Sequence, residues 1–107
     1  MKIFKCSERN FQKTVLESDQ PVVLMCEAEW SGDAHIMAPI VEDLARYFDQ
    51  KVRFGKLDFE KYAALAERYC IRQSMTFLFF KRGKVVNQFQ GTIRKTTLKK
   101  QIEMLLN

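Results

Sequence analysis

The segment Pro21–Leu44, PVVLMCEAEWSGDAHIMAPIVEDL, constrains this chain more than any other. Val22, Val23, Leu24 and Met25 are apolar without alternation, the pattern of a strand covered on both faces. A helical period begins a few residues later, with Ile36, Met37, Ile40, Val41, Leu44, Ala45 and Phe48 on one stripe. A strand buried on both sides and followed at once by an amphipathic helix predicts an α/β sheet. The loop between them, Trp30 to His35, then lies at a strand C-terminus and a helix N-terminus, the usual place for chemistry in open α/β sheets.

The remaining elements follow from pattern. Lys2 to Lys5 is a short strand candidate ending at Cys6, and Ser7 can cap a helix carrying Phe11, Val15 and Leu16 inward. Ser18-Asp19-Gln20-Pro21 ends that helix. The helix after the loop contains Pro39, which removes one backbone hydrogen bond and should bend the axis. Lys51 to Phe59 reads as a strand, Lys61 to Tyr69 as a helix and Met75 to Lys81 as a second buried strand. Arg82-Gly83 turns into a hairpin partner with Val85, Val86 and Phe89, and Thr96 to Leu106 is a final helix with Leu98, Ile102, Leu105 and Leu106 inward. With 107 residues, 47% of them apolar, and neither repeat nor linker, the expected organisation is one domain over residues 1–107.

Ala28-Glu29-Trp30, a four-residue loop and Met37-Ala38-Pro39-Ile40 together resemble the active-site strand and helix of thioredoxins, which carry Trp-Cys-Gly-Pro-Cys there. The resemblance implies a thioredoxin fold along essentially the whole chain, in the order β-α-β-α-β-α-β-β-α: a mixed five-stranded sheet flanked by four helices. Of the family tetrad only Gly32 survives; Ser31 replaces the nucleophilic cysteine, Asp33 the proline and Ala34 the resolving cysteine. Met25 stands where the family has a buried aspartate, and Met75 where it has a cis-proline before Thr76. A cis peptide before a non-proline residue costs about 2.5–4 kcal/mol, so the bond before Met75 is expected to be trans. Trp30, Gly32, Lys56, Thr76, Phe80, Gly83 and Gly91 remain.

Thiol–disulfide exchange needs a thiolate, which a helix N-terminus favours and a serine hydroxyl cannot supply. Ser31 and Asp33 read instead as loop or cap residues. On this ground the expected function is that of a redox-inactive protein-binding adaptor, assembly factor or chaperone-like subunit, with no catalytic residue. Its contact surface would be Trp30, Ser31, Asp33, His35, Ser74, Met75, Thr76, Gly91 and Thr92, and its partner a protein. The alternative is a thioredoxin-family oxidoreductase working through a single cysteine such as Cys70, which follows a helix in Tyr69-Cys70-Ile71; Cys26 belongs to the core strand. The structural reading of Cys70 is preferred.

Other chemistries fare worse. Ser31, Asp33 and His35 have the residue types of a hydrolytic triad, but neighbours two apart diverge and no Gly-x-Ser-x-Gly surrounds the serine. His35 has no ligand partner at metal spacing, so neither metal nor cofactor is expected. Cys6, Cys26 and Cys70 form no Cys-x-x-Cys pair and are read as reduced thiols. The net charge of +5 is spread over Lys81, Arg82, Lys84, Arg94, Lys95, Lys99 and Lys100 without a nucleic-acid motif, which disfavours nucleic acid as partner. No run has signal-peptide or membrane-span length, and a cytoplasmic location is expected.

Overall fold

The computed structural model describes residues 3–107, so Lys2, at the start of the expected first strand, lies outside the described residues. The strands are β1 (Ile3–Cys6), β2 (Val22–Glu27), β3 (Arg53–Asp58), β4 (Thr76–Lys81) and β5 (Lys84–Gln90). They form one sheet in the order β1-β3-β2-β4-β5. β1, β3 and β2 run parallel, β4 runs antiparallel to β2, and β5 pairs back on β4. Helices α1 (Gly32–Tyr47), α2 (Ala63–Arg68) and α3 (Lys95–Leu105) and a short π-helical segment (Gln12–Leu16) complete the element order that the resemblance implies.

β2 is fully buried from Val22 to Cys26 because apolar layers cover both its faces. One layer packs Met37, Val41 and Leu44 of α1 and Leu98, Ile102 and Leu105 of α3 against Val23, Met25, Phe77 and Phe79. The other packs Phe11, Val15, Leu65 and Ala66 against Leu24, Cys26, Leu57, Leu78 and Phe80. The result is a three-layer α/β/α arrangement.

Three local expectations are corrected. Ile36 is exposed, because at 100° per residue it turns off the stripe that Ala34, Met37, Val41, Leu44 and Ala45 form. Leu106 lies beyond the last turn of α3 and is also exposed. The first helix is only a π-helical turn; Ser7 does cap the chain there, its hydroxyl accepting from Asn10 N at 3.2 Å while Asn10 Oδ1 accepts from Ser7 N at 2.8 Å. Helix α1 continues through Pro39 to Tyr47.

Candidate functional site: a closed loop and an exposed thiol

The loop after β2 is anchored from within. Ser31 is the N-cap of α1, its hydroxyl accepting from Ala34 N at 3.3 Å, and its own amide donates to Ala28 O at 3.0 Å. Only 3% of Ser31 is exposed, so its oxygen is occupied with capping and closed to a reactant. Asp33 lies in the first turn, where a carboxylate suits the helix dipole, rather than at the cap itself. His35 is exposed one turn on, and the hydroxyl of Ser31 bonds the Ala34 amide, so no triad is assembled.

Neighbouring segments are drawn onto this loop. Ala28 N donates to Ser74 Oγ at 3.0 Å, Gly91 N donates to Met75 O at 2.8 Å, and Thr76 Oγ1 donates to Gln73 O at 2.8 Å. The structure therefore brings Ser31, Ser74, Met75, Thr76 and Gly91 together. It divides them in depth. Ser31, Met75 and Thr76 are buried and form a backing, whereas Trp30, His35 and Thr92 are exposed around it. The peptide between Ser74 and Met75 is cis, which corrects the trans expectation. The hydrogen bonds of Ala28 to the Ser74 hydroxyl and of Gly91 to the Met75 carbonyl hold the segment from both sides, a tertiary constraint that local peptide energetics do not contain. Trp30, 70% exposed, leans across to donate from Nε1 to Glu60 Oε1 at 3.0 Å. Glu60 carries no signal in the sequence for that role.

The three thiols are all free and fall into two classes. Cys6 and Cys26 lie on strands either side of β3, both in register with Leu57. Two strand spacings separate them by about 9.6 Å, beyond the reach of a disulfide. Burial pushes the Cys6 thiol from 9.0 up to about 11, a hydrogen bond from Thr14 opposing the shift. Burial pushes Cys26 higher still, with Cys6 and Glu27 adding to the rise. Both are protonated and inert near neutral pH.

Cys70 differs from both: it is exposed, and its φ is +56°. Tyr69 closes α2, Cys70 N donates to Glu67 O at 3.2 Å and Ile71 N donates to Ala66 O at 2.8 Å. These are the paired bonds of a Schellman cap, with Cys70 at the left-handed position that glycine usually fills. Buried Ile71 and Ala66 supply its apolar contact. Arg68 and Arg72 flank the thiol, and the Arg68 guanidinium lies over the Phe11 and Tyr69 rings at 5.8 and 5.3 Å. The hydrogen bonds that tie the loop cluster together do not include Cys70.

The thioredoxin family profile matches residues 2–104. The chain belongs to the thioredoxin family. It is 34% identical over 102 residues to a thioredoxin of Chlorobaculum thiosulfatiphilum, covering 95% of this chain and 94% of that one. It is 32% identical over 97 residues to thioredoxin 1 of Nostoc sp., with 91% of each chain covered. A chloroplastic M-type thioredoxin of Spinacia oleracea is 33% identical over 101 residues, 94% of this chain and 56% of that longer one. These relatives, all named as thioredoxins, overturn the expectation of a redox-inactive adaptor and favour the alternative of a thioredoxin-family oxidoreductase. That expectation weighed the missing sulfur at Ser31 and Ala34 and gave Cys70 a structural reading, although its exposure and backbone conformation set it apart. No helix among the described residues is long and apolar enough to cross a membrane, and the relatives include both bacterial and chloroplastic proteins.

Proposed function

We propose that this chain is a thioredoxin-family oxidoreductase that carries out thiol–disulfide exchange through Cys70. The observation that carries the reading is an exposed thiol held at a left-handed position where glycine would be cheaper, in a chain whose other two thiols are buried. In the forward step the Cys70 thiolate attacks one sulfur of a disulfide, forming a mixed disulfide and releasing the other half as a thiolate. A low-molecular-weight thiol then attacks the substrate-derived sulfur through its own thiolate, regenerating the Cys70 thiolate and carrying the substrate fragment away as a new disulfide. Two thiolate attacks and two departures balance, and no second protein cysteine is needed. Ser31 has no place in the exchange.

Trp30, His35, Ser74, Gly91 and Thr92, backed by Ser31, Asp33, Met75 and Thr76, serve as the surface that receives a protein substrate, with Trp30 the exposed aromatic anchor. Unbridged thiols suit a reducing compartment such as the cytoplasm. The test is turnover of a glutathionylated peptide with glutathione as reductant. Cys70→Ser should lose at least about tenfold in rate while Cys6→Ala changes it by less than about twofold. Full activity in Cys70→Ser would overturn the proposal.

A further inference from the structure

The carboxyl ends of β1, β3 and β2 carry a pattern of charge that thiol exchange does not use. In the parallel register Lys5 stands beside Lys56, and Asp58 stands beside Glu27. Register partners share a face of the sheet, as do residues two apart on one strand. Two neighbouring lysines and two neighbouring carboxylates therefore lie on a single face, separated along the strands by about 6.6 Å. Within each pair the backbones are only about 4.8 Å apart, and like charges placed opposite one another are unfavourable. Pairing lysine with carboxylate across the rungs would relieve both repulsions. Among the described residues the ion pairs are Arg46 with Asp43 and Lys95 with Asp43, and none joins these four side chains.

A cavity of about 370 Å³ is lined by all four, together with Cys6, Glu29, Lys61 and Tyr62. Its frame is fixed. Asp58 Oδ1 accepts from the amides of Glu60 and Lys61 at 3.0 and 3.2 Å, and the Trp30–Glu60 hydrogen bond ties the loop after β2 to the turn after β3. Burial pushes the Glu27 carboxyl up against the opposing pull of Lys56 and His35, and the neighbouring Asp58 adds to the rise. The volume falls within the range of small-molecule sites, and the ends of parallel strands are where open α/β sheets bind ligands.

We propose that this cavity binds a small zwitterion, an amino acid or short peptide, with its carboxylate against Lys5 and Lys56 and its ammonium against Glu27 and Asp58. One molecule with both charges sets a full opposite charge beside each pair. A simple anion meets Glu27 and Asp58, a simple cation meets the lysines, and each is repelled by half of the site. The assignment rests on strand register and charge, and is independent of the role of Cys70.

The test is a ¹H–¹⁵N NMR titration of the full chain with glycylglycine and 4-aminobutanoate, using acetate and ethylammonium as single-charge controls. At least one zwitterion should give saturable shifts at the amides of Lys5, Glu27, Lys56 and Asp58, with each control at least about tenfold weaker. Lys56→Gln, at an exposed position that leaves the core intact, should weaken zwitterion binding at least about tenfold, and Glu27→Gln likewise. The absence of saturable shifts up to the solubility of both zwitterions would overturn the proposal. So would equal binding of a control, or wild-type affinity in Lys56→Gln.

Discussion

Cys70 pays a conformational cost that its neighbours do not. At φ +56° its Cβ crowds the backbone, a penalty of about 1–2 kcal/mol for a residue other than glycine, partly offset because glycine gains more freedom in the unfolded chain. Cys70→Gly should therefore raise the stability of the fold by about 0.5–1 kcal/mol in urea unfolding while abolishing thiol exchange. A destabilised Cys70→Gly would mean that the thiol is a packing residue. Cys6 gives the opposite kind of prediction. Its folded thiol titrates at about 11 against an ordinary 9.0, so the fold resists its ionisation. The stability this thiol contributes is fully present below pH 9.0 and is lost as pH rises towards about 11, with Cys26 acting in the same direction. Unfolding free energies from urea titrations should fall over that interval, by up to about 1.4 kcal/mol per pH unit for each thiol, and less steeply in Cys6→Ala. A slope unchanged in Cys6→Ala would contradict the assignment.

Elements were legible in the sequence wherever periodicity and burial agree. The apolar run Val22 to Met25 and the spacing of Met37, Val41 and Leu44 identify β2 and α1 because both report a covered face. Legibility stops where a long-range contact decides. No proline marks the cis bond before Met75, and no glycine marks the left-handed turn at Cys70, which is followed by buried Ile71. Gly55 in β3 is another such case: a Cβ there would meet the Phe4 ring of β1 at 2.4 Å. Gly55→Ala should cost about 1–3 kcal/mol, and a smaller side chain in Phe4→Leu should recover part of that loss in a double-mutant cycle. Additive costs would show that the ring is not what the glycine accommodates. At the start of α1, Ser31→Ala removes the hydroxyl that accepts from Ala34 and should cost about 1 kcal/mol in urea unfolding. Unchanged stability would show that this hydroxyl does not cap the helix.

Across the whole molecule, a sheet covered on both faces holds two thiols out of reach and leaves one in solvent at the end of α2. The loop that resembles a thioredoxin active site is present as a framework, with its hydroxyl, amides and neighbouring strands bonded to one another. The proposed exchange chemistry lies elsewhere, at Cys70, set apart by exposure and backbone conformation rather than by a motif. The most direct measurement is peptide mapping by mass spectrometry after brief treatment of the native protein with oxidised glutathione. One glutathione per chain is expected, on Cys70, with Cys6 and Cys26 modified only after unfolding. Adducts on Cys6 or Cys26 in the folded protein, with Cys70 left unmodified, would contradict exchange through Cys70.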